Sequence, residues 1–178
     1  IWQRADLRLH DRADLLTAQT HGTALLPVYC FDPRQFGKTR FGFPKTGHFR
    51  SQFLRESVAD LRASLQRLGS DLVIRHGVPE QILPELVQAG QIEAIYFQPE
   101  ITSEERSVET AVIAAVRSIN PTIQIRRFFS ATLYAPTALP FPIDAVPEVF
   151  TQFRKQVEKQ STIAAPLPAP THLPPFLP

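Results

Sequence analysis

Short apolar runs alternate along this chain with longer stretches in which apolar residues recur at every third or fourth position. Residues 24–31 are apolar on both faces, the pattern of a central strand in a parallel sheet. Residues 71–75, 92–97 and 122–128 read as further strands, and residues 1–2 as the stub of a first. The clearest helix carries Phe53/Leu54, Val58, Leu61, Leu65 and Leu68 as its apolar stripe, with Gly69 as its stop. Shorter helices are predicted over residues 12–20 and 79–88; Pro79 suits a first turn, whereas Pro84 should kink or split the second of them. Thr102 and Glu105 have capping-box spacing ahead of a helix whose buried face is expected to hold Val108, Ala111, Val112, Ala115, Val116 and Ile119. Beyond residue 128 the alternation ends in a proline-rich loop over residues 132–146, followed by a short amphipathic helix over residues 149–158.

Five strands with intervening helices predict an α/β fold: a doubly wound, five-stranded parallel sheet of Rossmann type, built by right-handed crossovers in the order 3-2-1-4-5. Its switch point lies between strands one and four, and ligands of such sheets sit at the strands' C-terminal ends. The loop after strand one carries Asp6, and the loop after strand four carries Gln98-Pro99-Glu100. These loops should face each other across a crevice. A carboxylate there could accept two hydrogen bonds from a cyclic amidine-type edge, such as a pterin's ring N–H and amino group. The alternative roles are local: Asp6 pairing with Arg4 or Arg8, and Glu100 favouring the positive end of the helix that follows.

Three units are expected: an α/β domain over residues 1–130, a post-sheet loop and short helix over 131–163, and a proline-rich linker over 164–178. Six prolines in residues 166–178 leave too few backbone donors for a helix or sheet. With a two-residue first strand at the other end, both termini read as cut points.

Composition narrows the chemistry. The net charge of +2 is unevenly spread: residues 1–50 hold eight Lys/Arg against four Asp/Glu, which suits an anionic partner near the N-terminal loops. The single cysteine, Cys30, excludes an internal disulfide, fits a reducing compartment, and sits in an apolar run where it reads as a buried small side chain. No apolar run reaches the roughly 20 residues that span a bilayer. The five histidines form no helical pair and have no cysteine companion, so no metal site is expected. Gly37-Lys38-Thr39 resembles the end of a phosphate-binding loop, but Asp32 stands where that motif needs glycine. No G-x-G-x-x-G occurs. The loop over residues 36–50 interleaves Phe36, Phe41, Phe43 and Phe49 with Lys38, Arg40, Lys45 and Arg50, offering stacking surface and cations for an acidic tail, or phenylalanines that pack on the domain or a partner.

Several stretches together resemble the N-terminal domain of the DNA photolyase/cryptochrome family, and most its cryptochrome DASH branch. They are Arg4-Ala5-Asp6-Leu7-Arg8-Leu9-His10-Asp11, Val28-Tyr29-Cys30-Phe31-Asp32-Pro33, Lys45-Thr46-Gly47-His48-Phe49-Arg50, Glu100-Ile101-Thr102-Ser103-Glu104-Glu105 and Phe150-Thr151-Gln152-Phe153-Arg154-Lys155. The resemblance implies a flavin protein in which blue light drives repair of cyclobutane pyrimidine dimers in DNA, or light sensing. It implies an antenna chromophore, usually methenyltetrahydrofolate, held by this domain in a cleft facing a helical FAD-binding domain. Carried over, Asp6 and Glu100 fall on folate-contacting positions, with Gln98 and Phe43 added by location.

Two departures stand out. Gln3 replaces the usual Phe after the tryptophan, and the sequence stops at Pro178, before any residue that could be matched to FAD or DNA binding. No catalytic residue is therefore assigned, and the chain alone is expected to be inactive. Its expected partner is the helical FAD domain, on the same or a separate chain, with DNA contacted only through it. The expected compartment is the cytoplasm, or an organelle or nucleus in a eukaryote. Two other readings compete: an interaction module docking on a flavin-binding polypeptide without a chromophore of its own, and an adenine-nucleotide-binding domain of the same sheet topology.

Overall fold

In the computed structural model, which describes residues 1–177, five parallel strands form one sheet. They are β1 (Trp2–Gln3), β2 (Val28–Phe31), β3 (Val73–His76), β4 (Ala94–Phe97) and β5 (Gln124–Arg127), in the order β3-β2-β1-β4-β5 that the topology rules predicted. The central strand is only two residues long, yet it pairs on both sides: Trp2 with Val28 and Phe97, and Gln3 with Tyr29. The helices are α1 (Ala13–His21), α2 (His48–Arg67), α3 (Pro79–Ala89), α4 (Ser103–Ile119) and α5 (Phe150–Gln160).

Period-two alternation divides the core between the two faces of the sheet. On one face Trp2, Cys30, Ile95 and Phe97 meet Leu83 and Val87 of α3 and Val112 and Val116 of α4. On the other, Tyr29 meets Leu15 of α1 and Val58, Leu61 and Leu65 of α2. Helices on both faces make the sheet doubly wound. Each large apolar side chain fully buried this way contributes roughly 1.5–3 kcal/mol.

The structure revises several local expectations. Pro84 neither kinks α3 into two pieces nor ends it: it lies buried inside one continuous helix, whose burial, with Leu83 and Val87 in the sheet's core, offsets the missing N–H. Thr102 occupies the N-cap of α4 but makes no side-chain cap bond. Ile119 is exposed, whereas Glu109 is buried on the same helix. Phe53, assigned to the apolar stripe of α2, is 71% exposed, because α2 begins at His48 and its first turns run past the edge of the core.

The proline-rich tail is extended, as its composition requires, and lies against the domain. The Leu25 N–H donates to the Pro175 carbonyl at 2.8 Å and the Leu177 N–H to the Leu25 carbonyl at 2.9 Å. Leu173 joins the α1–α2 core.

Asp71 ties α2 to the strand it feeds. Arg62 donates to both its oxygens, at 2.8 and 3.1 Å, and the Leu72 N–H donates to Oδ1 at 2.7 Å. The Arg62 fork and the Leu72 amide outweigh burial and hold this carboxyl down to about 2. A carboxyl whose pKa is lower in the folded than in the unfolded chain stabilises the fold above its unfolded value. Its contribution is therefore lost as the pH falls from about 4 to about 2. Asp71→Asn should flatten acid denaturation in that window, measured by circular dichroism, and leave the neutral-pH fold intact. Leu65→Ala, at a fully buried position, should lower unfolding free energy by about 3 kcal/mol in a denaturant titration.

Candidate functional site

A cleft of about 800 Å³ opens at the C-terminal ends of the strands, where β1 separates the two halves of the sheet. One side is built by Gln3 of β1, Tyr29 of β2 and Arg50 of α2; the other by Glu100, Glu104 and Glu105 at the start of α4. A second cavity, about 510 Å³, lies near Ile1, Ile92 and Leu177 toward the strands' N-terminal ends, the wrong end of such a sheet for a ligand.

Charges placed immediately after a central strand must be neutralised locally, and two buried ion pairs do this. Arg4 pairs with Glu109, both side chains 7% exposed. Arg4 also lies over the Trp2 ring, 4.6 Å from its centroid, and donates to the Glu105 carbonyl. The Glu109 carboxylate accepts the Glu100 N–H at 2.8 Å, so the acid at the cleft is positioned through a buried acid one helical level below. The second pair is Arg12 with Asp14, its Nε to Oδ1 distance 2.8 Å and both residues buried. The same guanidinium donates to Gln3 Oε1 at 3.0 Å and to the Asp6 carbonyl at 2.6 Å.

Asp6 therefore sits in a polar knot. Its carboxylate lies 3.4 Å from Arg8 and 3.9 Å from Arg12, and the Gln98 amide, oriented to satisfy its neighbours, donates to Oδ2 at 2.7 Å and accepts from the Ala131 N–H at 3.2 Å. Burial pushes the Asp6 carboxyl up, against the pull of Arg12 and Arg8. The structure thus joins Asp6 to Gln98 across the switch point but turns the Asp6 carboxylate away into this network. Glu100 borders the cleft. Phe43 does not: it is 70% exposed at the tip of a tight loop closed by the Thr39 N–H on the Phe43 carbonyl. Of the four residues singled out from the sequence, only Glu100 lines the cleft.

At the mouth, Lys45 binds both oxygens of Glu104 at 2.9 and 3.0 Å, linking the loop after β2 to α4. Arg34 forks onto Asp32 and Glu80. Glu100, Glu105 and Arg50 line the cleft without an ion-pair partner among the described residues. Burial pushes the Cys30 thiol up to about 12, so it is no nucleophile at neutral pH. Among the described residues no helix is long and apolar enough to cross a membrane, and no His/Cys/Asp/Glu group could hold a metal ion.

Residues 1–172 match the sequence profile of DNA photolyase. The chain belongs to the DNA photolyase family. Within that family it is 52% identical over 176 residues to a cryptochrome DASH of Gloeobacter violaceus, covering 99% of this chain and 35% of the relative. It superimposes on the crystal structure of a Synechocystis cryptochrome with a TM-score of 0.95 at 41% identity, covering 99% of this chain and 36% of that one. A photolyase of Sulfolobus tokodaii, solved with two FAD molecules, shares the fold with a TM-score of 0.79 at 23% identity, over 98% and 37% of the two chains. The chain spans about a third of the length of the relatives it matches.

The residues that the sequence reading missed are Arg12, Asp14 and Glu109. Glu109 left a signal: it shares a helix face with the apolar Val112 and Val116, where an acid must be paired to be buried. Glu109→Ala, which strands Arg4 in the interior, should cost about 3–5 kcal/mol of stability in urea or thermal unfolding.

Proposed function

We propose that this chain is the antenna-chromophore domain of a DASH-type photolyase/cryptochrome, and that its cleft holds a folate, methenyltetrahydrofolate being the expected form. The observation that carries the reading is the free Glu100 carboxylate on the wall of a cleft at the switch point. The volume lies within the roughly 300–1,000 Å³ typical of small-molecule sites. The donor set also fits: Glu100 can accept from a pterin's ring N–H and amino group, while Arg50 at the mouth can meet the glutamate tail. When bound, such a group absorbs light and passes the excitation on. The chain's own residues bind it, orient it and shield its faces.

In this reading the light energy serves FAD in a helical domain, on the same or a separate chain, for repair of pyrimidine dimers or for light sensing. DNA is met only through that domain, and this chain does no chemistry alone. Exposed Phe41, Phe43, Phe49 and Phe53, on the loop after β2 and the first turns of α2, provide apolar surface suited to such a partner. Family membership speaks against the adenine-nucleotide reading and gives an interaction module without chromophore no separate support.

The test is chromophore occupancy of the full-length gene product. Wild-type protein should co-purify with folate or bind it on reconstitution, seen by absorption and mass spectrometry. Glu100→Gln should lower occupancy severalfold with unchanged thermal unfolding. Bound FAD in the cleft in place of folate, or Glu100→Gln occupancy equal to wild type, would refute the folate assignment.

A further inference from the structure

One buried polar atom of a cleft-lining residue has no partner among the described residues. Gln3 is 2% exposed and borders the cleft, and its Nε2 reaches no acceptor among the described residues. Its other amide atom is committed: Oε1 accepts from Arg12 at 3.0 Å, and Arg12 is itself fixed by Asp14. Turning the amide over would set its N–H groups against a guanidinium, so Nε2 remains a donor facing away from Arg12. A buried amide N–H left unpaired costs roughly 1–3 kcal/mol, and native structures rarely keep one without a use.

Beside Gln3 on the same sheet face stands Tyr29, its partner in the parallel register and also a cleft residue. Burial pushes the Tyr29 phenol up to about 12, with the neighbouring Arg50 opposing, so at neutral pH it keeps its proton and can donate. The β1–β2 side of the cleft thus offers donors, from Gln3 and Tyr29 with Arg50 beyond them. The α4 side offers carboxylates, from Glu100 and Glu105. The two walls read opposite chemistry.

We propose that Gln3 and Tyr29 form a donor wall that binds a carbonyl or ring-nitrogen acceptor of the ligand while Glu100 takes its N–H edge, so that the cleft selects a heterocycle carrying both edges. The inference rests on the antenna reading and sharpens it: a pterin with an oxo group and an amino-amidine edge satisfies both walls, whereas a ring with only one such edge leaves buried groups unpaired. Sites of this kind discriminate through the penalty on the unpaired partner.

The test uses the full-length protein titrated with methenyltetrahydrofolate, reading the dissociation constant by equilibrium dialysis and the position of the folate absorption band. Gln3→Glu keeps an oxygen for Arg12 but replaces the donor with an acceptor. It should weaken folate binding by about tenfold or more and move the absorption band. Tyr29→Phe, which removes only a hydroxyl, should weaken binding by about threefold to tenfold and serves if Gln3→Glu fails to fold. Folate binding at wild-type strength in both variants, while Glu100→Gln is impaired, overturns the donor wall and leaves the antenna reading standing. Wild-type protein that binds no folate overturns both.

Discussion

A central parallel strand that ends after two residues hands the chain from a dry interior to a cluster of charges, and everything around the cleft follows from how those charges are held. Arg4 leaves β1 immediately after Gln3 and would be untenable in that position alone; Glu109, rising from α4 on the far side of the switch point, neutralises it. Arg12 does the same from the other direction, bonding Asp14, Gln3 and the Asp6 carbonyl with one guanidinium. The planar fork of arginine allows one side chain to fix three segments at once, which an ammonium would do poorly. Both pairs cross between elements distant in sequence or at the start of a helix, so they fix where the loops stand relative to the sheet.

That arrangement explains why Asp6 and Glu100, both acids at strand ends, have different surroundings. Asp6 is closed in by Arg8, Arg12 and the Gln98 amide. Glu100 has its backbone N–H tethered by Glu109, and its carboxylate, beside the cleft, has no partner among the described residues. An acid whose backbone is fixed and whose side chain is uncommitted is poised to meet a ligand. An acid whose side chain is already neutralised holds the loop in place instead. The two loops do meet, through Gln98, but one acid is committed to the protein's own network and the other borders the cleft.

The sheet was legible from the sequence because parallel strands buried on both faces leave continuous apolar runs, and because crossover handedness leaves few orders to choose from. Local detail was less so. Pro84 breaks an isolated helix but is tolerated where α3 is pressed onto the sheet, a tertiary effect that propensity does not contain. Phe53 continues the periodicity of α2 past the point where the core ends, and periodicity alone cannot mark that edge. Glu109 and Arg12 were hidden for a related reason. Glu109 pairs with Arg4 from far along the chain. Arg12 pairs with Asp14 only two residues on, but its burial depends on the loop after β1 folding back to bring in Gln3 and the Asp6 carbonyl. Pattern reading registers the charge but neither the long-range pairing nor the burial. The proline-rich tail has the extended form its composition dictates. Its contacts with Leu25 and Leu68 depend on surfaces that exist only after the sheet forms.

The same division between scaffold and recognition bears on Gln3. In a strand with a dry face on either side, each end of a glutamine amide that is left unpaired carries a desolvation cost. One end is used within the domain, by Arg12, and that bond fixes the direction of the other. The residue at this position therefore cannot be understood from the core or from the cleft separately. An apolar side chain here would have no use for Arg12, whereas the glutamine amide takes its orientation from the buried ion pair. In the proposed donor wall, recognition is then a property of the packed interior as much as of the loops, because Arg12 sets the orientation of the amide.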